Sequence, residues 1–222
     1  GYPNTTGLGR IDYRITDAWA DPPGMTERFH TEHLLRLPNG FLCFAPPACA
    51  PEVSPPPALK SGHVTFGCFN SNAKITDEVL GLWAEVLAVV PDSRLLLKSL
   101  PLTDEAVRER TLECLVARGA RPDRVELRGW VSGYASHLAA YADVDIALDT
   151  SPYNGTTTTC EALWMGVPVV ALAGQVHAAR VGVSLLTMAG LADLVAQTPA
   201  EYVEKAAGLA GDLERLSLLR SN

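Results

Sequence analysis

From residue 61 onward, short apolar runs alternate with longer amphipathic ones, and this alternation constrains the fold more than any other feature of the chain. Residues 64–69, 94–98 (RLLLK), 125–127, 145–148 and 167–172 (VPVVAL) read as strands. Between them, Thr76, Asp77 and Glu78 open a helix whose Leu80, Trp83, Ala84 and Leu87 share one face and which Pro91 ends. Further helices are expected at residues 104–117, 134–142, 157–164, 178–189 and 199–219. Strands and helices of these lengths in alternation make βαβ units, so the expected fold is α/β: a Rossmann-like parallel sheet with flanking helices. Such sheets bind ligands at the carboxyl ends of their strands, where loops lead into helices. No internal repeat is present.

Residues 1–60 have a different character. They carry turn signals at Pro3-Asn4, at Asp21-Pro22-Pro23-Gly24 and at Pro38-Asn39-Gly40, with short apolar pieces between. The tract at residues 45–60 (APPACAPEVSPPPALK) is Pro-rich, and proline fixes φ and removes donors, so it reads as an extended linker. The expected organisation is therefore two units, 1–60 and 61–222. The chain starts at Gly1 inside a turn motif and stops at Asn222 straight after a helical pattern, so a piece of a longer protein is expected.

Charge narrows the partners. The net charge is −7, and such a surface repels both phosphate backbones and anionic lipid. Neither nucleic acid nor a membrane is an expected partner. A phosphate site, if present, must be local. No apolar run reaches the length of a membrane span, and no signal peptide is seen. The five cysteines are odd in number, lack metal-ligand spacing and mostly sit in apolar contexts such as FLCF and FGCF. They read as reduced and mostly buried, in a cytoplasmic protein.

One strand-to-helix junction concentrates the chemistry: residues 149–161, DTSPYNGTTTTCE. A strand ends at Leu148, the segment from Ser151 to Gly155 turns the chain, and Thr156 to Thr159 start a helix. Unpaired N–H groups and the positive end of the helix dipole meet there. Gly155 permits close approach of an anion, and the hydroxyls of Thr156, Thr157 and Thr158 add donors, so phosphate could bind without basic residues. Glu161, one turn in, could accept bonds from ribose hydroxyls. A plain helix cap accounts for one threonine equally well, and the pattern alone leaves both readings open. A second loop, at residues 69–74, holds Asn70, Ser71 and Lys74 after the first strand; Lys74 could stabilise a leaving diphosphate or be a solvated lysine. A third candidate is His137, which could bond a base or phosphate or sit on a helix surface. Nearby, Val131, Ser132 and Gly133 could offer backbone groups to a base edge. His30, His33 and His63 have no constellation, and His177 is undecided. No Ser–His–Asp order, HExxH, Walker A or GxGxxG appears, which argues against hydrolase, ATPase and dehydrogenase readings.

Taken with their flanks, these segments resemble a known family. Residues 69–75 (FNSNAKI), 148–168 (LDTSPYNGTTTTCEALWMGVP) and 177–186 (HAARVGVSLL) are similar to the catalytic region of protein O-GlcNAc transferases, glycosyltransferase family 41, closest to its Spindly-type and bacterial branch. Residues 1–7 (GYPNTTG), 11–17 (IDYRITD) and 20–23 (ADPP) fit the same branch. The resemblance implies a GT-B glycosyltransferase fold in which residues 1–60 end the first lobe and residues 61–222 form most of the donor-binding lobe. It implies inverting, metal-independent transfer of GlcNAc from UDP-GlcNAc to Ser or Thr of proteins, with no cofactor. It implies that Lys74 contacts the donor diphosphate as the catalytic lysine, with Ser71 beside it. Thr157 and Thr158 would hold phosphate, Glu161 the ribose, and His137 the uracil ring. Thr156, Ala140 and Tyr134 stand where the animal enzyme has a histidine, an arginine and a lysine. Plant Spindly enzymes share the Thr-rich motif and use GDP-fucose, so that donor stays open. The upstream helical repeats that select acceptors, and the start of the first lobe with its proposed catalytic histidine, are absent. This piece alone is expected to be inactive.

Overall fold

The computed structural model describes residues 4–221. Of the turn motif at residues 1–7, residues 1–3 lie outside that range. Two strands come first: β1 (Tyr13–Asp17) and β2 (His33–Leu37) pair in parallel, with Ile15 opposite Leu35. Sequence patterning missed this pair, because Tyr13, Ile15, Leu35 and Leu37 are exposed apolar residues and invert the usual alternation. A helical turn, α1 (Ala58–Ser61), closes the Pro-rich tract.

The regular part then unfolds as β3 (Thr65–Cys68), α2 (Asp77–Val89), β4 (Arg94–Lys98), α3 (Glu105–Val116), β5 (Val125–Arg128), α4 (Tyr134–Ala139), β6 (Ile146–Leu148) and α5 (Thr157–Trp164). It continues as β7 (Val169–Leu172), α6 (Val181–Met188), β8 (Val195–Ala196), α7 (Pro199–Ala210) and α8 (Leu213–Ser221). The strands form one parallel sheet in the order β5-β4-β3-β6-β7-β8. Helices cover both faces, so consecutive Leu95, Leu96 and Leu97 are all buried, as a central parallel strand requires. Strand order reverses direction between β3 and β6, and this reversal is where doubly wound sheets open a ligand crevice.

Local chemistry sets the element ends. Thr76 Oγ1 accepts from Val79 N at 3.3 Å, and Asp104 accepts from Ala106 N at 2.8 Å, capping α2 and α3. The expected helix over 199–219 is two helices, because the chain breaks at Gly211 and Asp212 recaps it by accepting from Arg215 N at 2.9 Å. The expected helix from 178 begins at Val181, after a tight turn at His177–Ala179. Likewise α4 tightens into a 3-10 turn at Ala140–Asp143. Strand β7 starts only at Val169, since Pro168 has no N–H to give the ladder; its carbonyl still accepts from Ala147 N at 2.8 Å. The two-residue β8 is too short for its pattern to be seen in sequence.

The first sixty residues are tied to the sheet. Asp17 accepts from Ser184 Oγ at 2.5 Å, and Asp21 takes the His177 Nδ1 contact at 2.6 Å. Arg220 straps the Pro-rich tract through Ser54 O and Val144 O, each at 2.5 Å. The cysteines correct one expectation. All five are free, yet only Cys68 is buried; Cys43 and Cys49 are exposed, because the apolar residues around them belong to no strand or helix.

Candidate functional site

Asp149 anchors the crevice at the end of β6. Its Oδ1 accepts from Asn70 Nδ2 at 2.9 Å, from Thr150 N at 2.8 Å and from Gly155 N at 2.6 Å. Its Oδ2 is buried without a partner among the described residues. Burial pushes the carboxyl up to about 6 against the pull of these donors. Asn70, at the end of β3, thus has its amide orientation fixed: Nδ2 donates to Asp149 and to Thr150 Oγ1 (2.9 Å), so its oxygen faces Thr158, whose hydroxyl donates to it. The end of β6 is itself held from below, where Trp83 Nε1 donates to Tyr202 Oη at 3.2 Å and Tyr202 Oη donates to the Asp149 carbonyl at 3.0 Å.

The turn between β6 and α5 presents donors. The first helical bond of α5 runs from Cys160 N to Thr156 O, so the N–H groups of Thr157, Thr158 and Thr159 have no acceptor among the described residues. Thr156 occupies the cap position without a side-chain capping bond. A side-chain cap therefore does not account for the threonine run, and the bare N–H groups are left as free donors at the positive end of the helix. Thr158 has its hydroxyl proton committed to Asn70, which leaves backbone N–H groups and the exposed Thr157 hydroxyl as outward donors. Gly155 cannot carry a side chain: a Cβ there would lie 2.6 Å from Thr159 Oγ1 and 2.8 Å from Asn70 Oδ1. Lys74 sits on a 3-10 turn beside this junction. Its Nζ donates to the Asn154 carbonyl at 2.7 Å and lies 4.0 Å from the centre of the Tyr153 ring. Burial holds its pKa below the usual lysine range, with Asp149 opposing. It is a positioned lysine, not a solvated one.

A cavity of ≈ 670 Å³ opens over the ends of β3, β4 and β5. Asn70, Ser71, Val131, Tyr134 and His137 line it, whereas Ser132 is exposed outside its lining. A polar chain crosses its wall. Lys98 Nζ meets His137 Nδ1 at 2.6 Å, His137 Nε2 meets Glu161 Oε2 at 3.0 Å, and Tyr134 Oη donates to Glu161 Oε1 at 2.7 Å. An ammonium only donates, so Nδ1 accepts from Lys98 and Nε2 carries its hydrogen toward Glu161. The bond to Glu161 pushes the Tyr134 phenol up to about 12. Glu161 is buried, with an oxygen engaged by each partner.

Sequence reasoning named Asn70, Ser71, Lys74, His137, Gly155, Thr158 and Glu161, and the fold brings them to one crevice. It placed Asp149 in the candidate junction without a role of its own, and it missed Lys98, Ser99 and Tyr202. A charged residue ending an apolar strand, as Asp149 and Lys98 both do, is the signal that could have singled out both. It also left His177 undecided and gave His30 no role. Both face Asp21 in a buried cluster, His30 Nε2 at 3.3 Å, where burial would raise the carboxyl but the bonds from His177 and Thr16 hold it well below its ordinary range.

The chain is similar to known proteins along nearly its whole length. The sequence profile of a family described as Glycosyl transferase family 41 matches residues 57–222. A tomato protein named probable UDP-N-acetylglucosamine–peptide N-acetylglucosaminyltransferase SPINDLY is 54% identical over 99% of this chain and 24% of its own length. A Caenorhabditis elegans UDP-N-acetylglucosamine–peptide N-acetylglucosaminyltransferase is 34% identical over 73% of this chain and 14% of its own. A solved Thermobaculum terrenum O-GlcNAc transferase, a mutant, superposes with a TM-score of 0.92 at 42% identity, covering 99% of this chain and 41% of that one. That match establishes the GT-B class of the fold. The chain spans about a quarter of the length of the SPINDLY relatives it matches.

Proposed function

The chain belongs to glycosyl transferase family 41, and from that premise we propose that it holds the nucleotide-sugar donor for inverting, metal-independent transfer of GlcNAc from UDP-GlcNAc to Ser or Thr hydroxyls of proteins. The observation that carries this reading is the row of unpaired N–H groups at the start of α5 beside Lys74, at the switch point of the sheet. The donor diphosphate lies on Thr156–Thr158. Lys74 neutralises the charge that grows on the leaving nucleotide, so the site supplies its own positive charge. The base occupies the cavity beside His137 and Val131, and Glu161 serves the ribose.

The acceptor side and the catalytic base belong to parts of the protein outside these residues, an N-terminal lobe and helical repeats. No helix among the described residues is long and apolar enough to cross a membrane. The cytoplasm suits free cysteines, since thiols stay reduced there.

Thermal-shift titration of the full-length protein with UDP-GlcNAc and GDP-fucose tests the proposal. A cognate donor at about 100 times its Kd stabilises by roughly 2.7 kcal/mol. A shift with UDP-GlcNAc, together with label transfer to a Ser/Thr peptide, supports it. A shift with GDP-fucose alone replaces the sugar and base but keeps the site. No shift with either removes the donor-site reading and leaves an inactive module.

A further inference from the structure

The cavity beside the diphosphate turn contains two polar groups that the donor scheme does not use. Lys98 is the last residue of β4 and is 6% exposed, and Ser99 follows it at 9%. Both line the cavity, together with Phe69, Trp130 and Tyr134, whose rings form apolar walls for a planar ligand. Of the three protons on the Lys98 ammonium, one goes to His137 Nδ1; Nζ also lies 5.0 Å from the Phe69 ring centre. Ser99 Oγ is buried with no partner among the described residues. A buried ammonium and a buried hydroxyl with unspent bonding capacity are costly unless a ligand completes them.

Topology says which part of a ligand reaches them. The diphosphate turn follows β6, and β4 lies two strands away across β3. A nucleotide with its phosphates on α5 therefore extends its base toward β4, and the edge farthest from the ribose meets Lys98 and Ser99. In uracil that edge is O4 beside N3–H; in guanine it is O6 beside N1–H. In cytosine and adenine the same edge is an amine beside a bare ring nitrogen. Lysine donates and never accepts, so it bonds a carbonyl and opposes an amine, while the serine oxygen accepts the neighbouring ring N–H. We propose that Lys98, with Ser99, is the specificity-determining pair that admits a base with a carbonyl at its outer edge, uracil or guanine, and rejects cytosine and adenine. This rests on the nucleotide-sugar reading of the site and adds to it the group that reads the base.

Calorimetry on the full-length protein with UDP, CDP, GDP and ADP tests it, compared within each ring size. The expected result is UDP tighter than CDP, or GDP tighter than ADP, by about 5- to 150-fold, the range for one well-placed base contact. Lys98→Met should shrink that ratio to within about threefold while the diphosphate still binds. Equal affinities for the carbonyl and amine bases, or an unchanged ratio in Lys98→Met, overturn the proposal. Should that variant fail to fold, the unaltered protein gives the answer with the diphosphate of 2-pyrimidinone riboside, which lacks O4 of uridine and, with it, the hydrogen on N3, and so offers neither group to Lys98 and Ser99. A loss of about tenfold or more against UDP supports the assignment, and equal binding overturns it. If no nucleoside diphosphate binds at all, the donor-site reading falls with it, an outcome distinct from binding without base selection.

Discussion

Gly155→Ala adds a single methyl group at the most crowded point of the site. The new carbon would lie 2.6 Å from Thr159 Oγ1, 2.8 Å from Asn70 Oδ1 and 2.9 Å from Thr158 Oγ1. None of these can retreat cheaply. The two hydroxyls are fixed close to the α5 backbone, and Asn70 is pinned by its bonds to Asp149 and Thr150. Overpacking of this kind costs about 1–3 kcal/mol. Displacing Asn70 also strips a donor from the buried Asp149 carboxylate, and hydrogen bonds to charged groups contribute about 1.5–3 kcal/mol each. Partial relaxation leaves an expected loss of about 2–3 kcal/mol, or roughly 4–12 °C in Tm for a chain of this size. Because the methyl pushes on the same turn that presents the N–H groups, donor affinity should fall by about tenfold or more, equivalent to ~1.4 kcal/mol. Urea denaturation and calorimetry with donor nucleotide measure the two effects. Wild-type stability and wild-type affinity in Gly155→Ala would refute the close-approach argument.

In the full-length enzyme, Lys74→Ala should lower turnover by about 10²-fold or more while changing donor affinity much less, since its charge matters most when the nucleotide leaves; single-turnover kinetics beside calorimetry separates the two. Tyr202→Phe removes the bond accepted from Trp83 and the bond given to the Asp149 carbonyl, so it should cost about 2 kcal/mol, or roughly 4–8 °C in Tm, read by calorimetric melting. The Asp149 carboxyl is raised by burial from 3.8 to about 6, so the folded state binds its proton more tightly than the unfolded state. Its stabilising contribution is present at low pH and lost as pH rises through about 6, by about 3 kcal/mol in total. Asp149→Asn should remove that pH-dependent difference in urea titrations run at pH 4 and pH 7, and an unchanged pH dependence would count against it.

The architecture of residues 61–221 was legible because period and length agreed: RLLLK can only be a strand buried on both faces, and Thr76 and Asp104 mark helix starts by a local rule. The diphosphate turn was half legible. Four threonines after Gly155 announced a helix start, but whether their hydroxyls cap, bind or pack depends on Asn70, which lies 88 residues from Thr158 in sequence. The same separation hid Tyr202 from Trp83 and His177 from Asp21, where partners are 119 and 156 residues apart. Strands β1 and β2 escaped notice for another reason: their solvent face is apolar, so period-two patterning points the wrong way. Lys98 has no role in the RLLLK reading, and only the fold brings it to the lining of a cavity beside His137.

The central claim is that a donor diphosphate rests on the backbone at the start of α5. Amide NMR during titration with UDP-GlcNAc tests it most directly, with GDP-fucose as the second donor. The account predicts that the N–H resonances of Thr156, Thr157 and Thr158 move downfield more than any others as these groups gain an anionic acceptor. Binding that leaves these three resonances in place while others shift would contradict it.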